Sequence, residues 1–174
     1  MIISVEKAKS LISFQNWTDE KIEMKLKAVE QTIRAYTNNN FQDRDYRRTA
    51  DIIGGSFVVE ALTPFDIGDT VQITESHLNK GLFTVATADD STFTVEETVK
   101  DENDVLVTKV VYPADVIDCC VNLMEWEVNN RGKVGIKSET LSRHSVTYED
   151  SASMFMGYPT SLLGCLKPYR KCRC

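Results

Sequence analysis

The side chains able to do chemistry in this chain of 174 residues are few and scattered. His77 and His144 both lie in polar surroundings, and neither has a second ligand or a nucleophile at a useful spacing. Each reads as a surface residue. Asp89-Asp90, Glu96-Glu97 and Asp101-Glu102 are adjacent carboxylates, the residue type used for general acid–base work. Set in turns and at a strand end, they read instead as solvated loop charges. Cys119 and Cys120 fall in an apolar helical pattern, Cys165 in a second apolar patch, and Cys172 and Cys174 close the sequence. No C-x-x-C pair occurs. A zinc site from Cys172 and Cys174 with His77 or His144 is the sharper reading; small core residues and two exposed thiols is the preferred one. Phosphate-binding loops, the dinucleotide fingerprint, the nucleophile elbow and the H-E-x-x-H zinc pattern are all missing. A hydrolase needs a nucleophile, a base and an orienting group, and no stretch supplies all three. The expectation is a protein that is not an enzyme, with no catalytic, cofactor-binding or metal residues and no cofactor.

Composition narrows the remaining classes. Twenty Lys and Arg stand against 26 Asp and Glu, a formal charge of −6, with 42% hydrophobic residues. A chain of this length buries roughly 70% of its unfolded surface and needs no disulfide or metal to fold. One domain, or one domain with a small inserted module, is expected. The acidic total argues against a sequence-independent DNA binder. No apolar run approaches the roughly 18 residues of a membrane span, and MIISVEKAKS lacks signal-peptide form. A soluble protein of a reducing compartment, with no membrane partner, is expected. The charge is unevenly spread: +2 over residues 1–49, −10 over 50–115, −2 over 116–150 and +4 over 151–174.

The elements that must carry these residues divide by period. Ser4 reads as a cap for a first helix with Val5, Ala8, Leu11 and Ile12 at helical spacing. Thr18 caps a second, with Asp19 and Glu20 in its first turn. Its stripe Ile22, Leu26, Val29, Ile33 and Tyr36 steps by 4, 3, 4 and 3 and reads as a core face, with Asn38-Asn39-Asn40 as the stop. From Asp51 to Tyr112 the period becomes two, predicting strands at 56–60, 70–74, 82–87, 92–97 and 105–111. Pro113 opens a third helix through Asn129, with a wide apolar face that includes Cys120, Leu123 and Met124. A strand over 139–149 follows, then Gly157-Tyr158-Pro159, a short Leu162-Leu163-Leu166 segment and the basic ending around Pro168. The fold class expected is α+β. A helical bundle frame of three main helices plus a C-terminal short helix or tail carries an inserted five-stranded small β-barrel or sandwich. The frame takes residues 1–49 and 113–150, the β domain 50–112 and a C-terminal docking arm 151–174.

The order of these features resembles the head–tail connector (adaptor) proteins of tailed bacteriophages. The Thr18-Asp19 helix start, its exit through Tyr36-Thr37-Asn38-Asn39-Asn40-Phe41, the stretch Gly135-Ile136-Lys137-Ser138-Glu139 and Ser145-Val146-Thr147-Tyr148 carry the likeness. So do the ending Gly157-Tyr158-Pro159 … Leu162-Leu163 … Leu166-Lys167-Pro168-Tyr169-Arg170 and, in the β module, Phe65–Val71 with Asn79–Val85. The family's frame is often shorter and without a β module. The resemblance implies a structural virion protein of the neck, made in the host cytoplasm during assembly. It would self-associate into a ring, a dodecamer in the virion. The ring binds the portal protein and the next neck protein, a stopper or tail-completion protein. Double-stranded DNA would pass through without specific binding in packaging and ejection. Tyr158, Leu162, Leu163, Leu166 and Tyr169 would then be apolar anchors for the portal, with Arg170, Lys171 and Arg173 supplying charge complementarity. The β module would either decorate the ring or extend a lateral interface. Other readings are a different phage neck or tail-completion protein, and a nucleic-acid-binding β-barrel module; the latter is weakened by the −10 balance around Lys80, Lys100 and Lys109.

Overall fold

A computed structural model describes residues 1–130, 138–141, 144–147 and 154–172. The chain forms two compact units, Met1–Asn39 with Tyr112–Cys174, and Asn40–Val111.

The second unit is a closed antiparallel barrel of six strands. These are β1 (Gln42–Ile53), β2 (Ser56–Val59), β3 (Thr70–Thr74), β4 (Gly81–Ala88), β5 (Thr92–Val95) and β6 (Glu102–Val110). They close in the order β1-β2-β5-β4-β3-β6. Alternate residues point inward, so Ile52, Phe57, Val59, Val71, Ile73, Val105 and Val107 share one core with Phe65, Val85 and Phe93. Phe57 and Phe93 stack at 4.5 Å, and Phe65 meets Phe93 edge-on at 5.1 Å. Gly54 and Gly55 at φ +59° and +83° form the β1–β2 turn, a left-handed geometry that disfavours other residues.

The expected five-stranded barrel or sandwich is therefore corrected. The sixth strand is β1, which begins at Gln42, inside the stretch expected to belong to the helical frame. Its sequence QDRDYRRTADII is half charged, and only Ala50 and Ile52 are buried. A bulge also breaks its alternation: Asp43 pairs with Lys109 and Arg47 with Thr108, leaving 44–46 without ladder partners on β6. β1 pairs with both β2 and β6 and so removes the free edges that an open sheet would expose.

The first unit is not a helical bundle frame, the second correction. Its described helices are α1 (Val5–Leu11), α2 (Asp19–Thr37), α3 (Ala114–Asn130) and a 3-10 helix at Gly164–Tyr169. The caps form as expected: Lys7 N donates to Ser4 Oγ and Lys21 N to Thr18 Oγ1. Ile22, Leu26, Val29 and Ile33 are buried, whereas Tyr36, the last member of the stripe, is only half-buried. A bundle needs helices of matched length. α1 has seven residues and leaves Leu11 exposed beside an α2 about 28 Å long. Among the described residues the unit also holds two hairpins: β7 (Ser138–Leu141) with β8 (His144–Thr147), and β9 (Met154–Phe155) with β10 (Tyr158–Pro159). The single strand expected over 139–149 is thus a hairpin in its described part; residues 142–143 and 148–149 lie outside the described residues.

α2 and α3 pack through polar as well as apolar groups. Lys25 Nζ donates to the buried Glu127 carboxylate at 2.5 Å. Tyr112 Oη donates to Glu30 Oε1 at 2.5 Å and accepts from Arg34 Nη1 at 3.0 Å. Burial first, and the Glu30 charge second, hold the Tyr112 phenol well above its ordinary range.

Candidate docking groove at the C-terminal arm

Residues 154–172 fold back on the helices of their own unit. Tyr158 is buried with its ring 5.5 Å from Trp126, and Leu163 and Leu166 have no exposed surface. Backbone and side-chain hydrogen bonds pin the end of the arm to the end of α2. Lys171 N donates to Thr37 O at 2.8 Å. Asn38 Nδ2 donates to Lys171 O and Cys172 O at 3.4 and 3.2 Å, and Asn39 Nδ2 to Tyr169 O at 3.2 Å. Asn38 sits at φ +48°, a left-handed helix end that Asn tolerates well. Asn38 and Asn39, read from sequence as a helix stop, are therefore also the clamp on the arm. Tyr169 Oη donates to the Asp115 carboxylate at 2.7 Å, and that bond, ahead of desolvation, raises its pKa.

The folded arm leaves a groove of about 810 Å³ beside the end of α2. Tyr36 and Phe155 meet edge-on at 5.2 Å in its wall, and the Arg170 guanidinium lies 5.2 Å over the Tyr36 ring. Met156, at φ +48° and 60% exposed, is held out by the β9–β10 turn with Gly157 at φ +83°. Lys167, Arg170 and Lys171 line the groove, all exposed. The surface is thus apolar and aromatic in the middle and cationic around.

The residues expected to dock a partner divide into three groups. Tyr158, Leu163 and Leu166 are core residues of the unit. Leu162 and Tyr169 are half-buried, and Arg170 and Lys171 are brought together at the groove. Arg173 lies outside the described residues. Sequence reading missed Tyr36, Phe155, Met156 and Lys167. The available signal was Tyr36, the final member of a stripe whose helix ends one residue later.

The other candidates fasten structure. Glu102 receives hydrogen bonds from Ser76 Oγ, His77 N, Leu78 N and Asn79 Nδ2 between 2.6 and 3.2 Å. These bonds, led by Ser76, hold its carboxyl down at about 2. Asp101 Oδ1 accepts from Gly54 N, and Glu97 Oε2 from Thr84 N. Cys119 and Cys165 both donate to Leu162 O, at 3.5 and 3.6 Å. Burial pushes the Cys120 thiol up to about 12. Among the described residues no group of three or more His, Cys, Asp or Glu is placed to hold a metal ion. Cys174 and the side chain of His144 lie outside the described residues. No described helix is long and apolar enough to cross a membrane.

The chain matches no family model, and no curated protein matches it.

Proposed function

We propose that the chain is a head–tail connector (adaptor) protein of the tailed-phage type. It forms a ring below the portal, bridges it to the next neck protein and lets double-stranded DNA pass. The observation that carries this reading is the pinned arm. Its three buried anchors and the Asn38–Asn39 clamp fix the half-exposed Leu162 and Tyr169 and the cations beside them in one geometry. A surface ordered before binding loses little entropy on docking, which favours a partner-binding role. Charge supports a conduit. The unit Asn40–Val111 holds 6 basic and 14 acidic residues, so a duplex passing it would be repelled more than gripped. The role lies in the virion neck, and the ring size expected is a dodecamer.

Electron microscopy of the purified protein, alone and mixed with the portal protein encoded with it, tests the reading. Rings stacked coaxially on the portal are expected. A chain that never associates with the portal, at any salt concentration, overturns it. Leu162→Asp, at a side chain only half-buried, should weaken portal binding about tenfold.

A further inference from the structure

The barrel ends differ in character. The end reached by the β1–β2 turn also carries the β3–β4 loop and the β5–β6 loop, because β1 runs antiparallel to β2 and β6, and β3 to β4 and β6. Chain entry at Gln42 and exit at Val110 lie at the opposite end, where these residues pair. Two large apolar side chains stand out at the turn-bearing end: Ile53, 60% exposed, and Leu78, 57% exposed. Around them are the exposed carboxylates Glu75, Glu96, Glu97, Asp101 and Asp104, against Lys80 and Lys100. Glu97 and Asp101 are used on backbone amides, as Glu102 is, while Glu75 and Glu96 reach solvent. This tip is apolar at its points and acidic around them. The groove of the other unit has the reverse sign: Tyr36, Phe155 and Met156 flanked by Lys167, Arg170 and Lys171, with no carboxylate among its described lining residues.

We infer that the acidic barrel tip of one copy of this chain docks in the cationic, aromatic groove of the next. Both halves of the contact are present on one chain, and they are complementary in charge and in apolar character. Two different patches meeting make a heterologous contact, which repeats from copy to copy and closes into a ring when the rotation permits. Ile53 and Leu78 supply the apolar anchors, and Tyr36 with Phe155 the surface that receives them. The carboxylates around the tip meet Arg170 and Lys171, which sets orientation and partner choice. The contact goes beyond the connector reading and does not depend on the portal. It assigns the arm's cations to a neighbouring copy, leaving Leu162 and the rest of the arm for the portal.

Sedimentation velocity on the full chain tests it, at concentrations up to about 100 µM and with salt raised from about 50 to about 500 mM. Self-association is expected at low salt and should weaken about tenfold or more at high salt. Two charge-reversed proteins are then compared: a groove variant, Arg170→Glu with Lys171→Glu, and a tip variant, Glu75→Lys with Glu96→Lys. Each alone should remain monomeric. Mixed in equal amounts they should associate again, since each restores opposite charge to the other. Lys167→Glu, at an exposed groove position, serves as a second groove variant, and thermal melting of all variants checks that both units stay folded. A wild-type chain that is monomeric throughout overturns the contact. So does association that survives both reversals, or a mixture that stays monomeric. A groove variant that loses portal binding while its self-association is unchanged gives the groove to the portal and also overturns it. The two readings fail separately. Salt-sensitive self-association without portal binding refutes only the connector, and rings on the portal from both reversed variants refute only this contact.

Discussion

Glu102 shows how a carboxylate pair in the sequence becomes a fastener in the fold. Four donors from the β3–β4 loop converge on one side chain, and all of them favour its charged form. Its folded pKa is depressed to about 2 from an ordinary 4.5, so its stabilisation is present above 4.5 and is lost as pH falls toward 2. Glu102→Gln should lower the melting temperature of the barrel at neutral pH. It should also flatten the pH dependence between about 4.5 and 2, and thermal melts across that window check both. Identical profiles for variant and wild type would show that the clamp contributes nothing. Lys25 and Glu127 pose the opposite problem, a carboxylate buried on α3 whose cation is partly solvated. Lys25→Met removes the Lys25 ammonium from that carboxylate and should cost about 2 kcal/mol, read by chemical denaturation. None of this partnering is visible in the sequence: 102 positions separate Lys25 from Glu127, and 23 to 26 separate Glu102 from the side chains of Ser76 and Asn79.

Among the elements, β1 decides the architecture. Without it the other five strands form an open sheet with β2 and β6 as edges; with it the sheet closes. A fragment of residues 40–111 should therefore fold as a monomer with a cooperative thermal transition. A fragment of residues 50–111, which lacks most of β1, should be unfolded or aggregated, and circular dichroism with light scattering separates the two. Equal folding of both fragments would remove β1 from its role in closure. Within the barrel, Phe57→Ala deletes the ring stacked on Phe93 and should destabilise by about 3–5 kcal/mol. β3, β4, β5 and β6 are legible because Val, Ile, Thr and Phe alternate in them between turn residues. β1 is not, because its bulge and its six charged residues hide the period and only its last third enters the core.

At the scale of the whole molecule, the arm expected to dock on the portal is itself part of the core of its unit. Removing residues 157–174 takes away Tyr158, Leu163 and Leu166 together with the bonds to Thr37, Asn38 and Asn39. Such a truncation should lower the stability of the helix-bearing unit by several kcal/mol, about 2–5 for each buried leucine in the additive limit. Proteolysis or hydrogen exchange of that unit would register the loss, while the barrel transition should remain. An unchanged unit would return the arm to the status of an appended tail. Charge divides the same way: the formal −6 is the sum of a barrel at −8 and a remainder at +2, whose exposed arm cations gather at one groove.

What the sequence alone determined is local. Caps at Ser4 and Thr18, the α2 stripe, the strand period from residue 56 onward and the uneven charge follow from nearest-neighbour chemistry, which a linear reading contains. Tertiary structure decided which side chains become core and which remain surface. Leu163 and Leu166 are buried because α2 and α3 offer apolar surface to the 3-10 helix, and Tyr36 stays half-exposed because the helix ends where the arm crosses. Closure of the barrel and the placing of three cations beside two aromatic rings depend on contacts between distant residues. Those contacts are fixed by packing and register, quantities that no spacing within one segment carries.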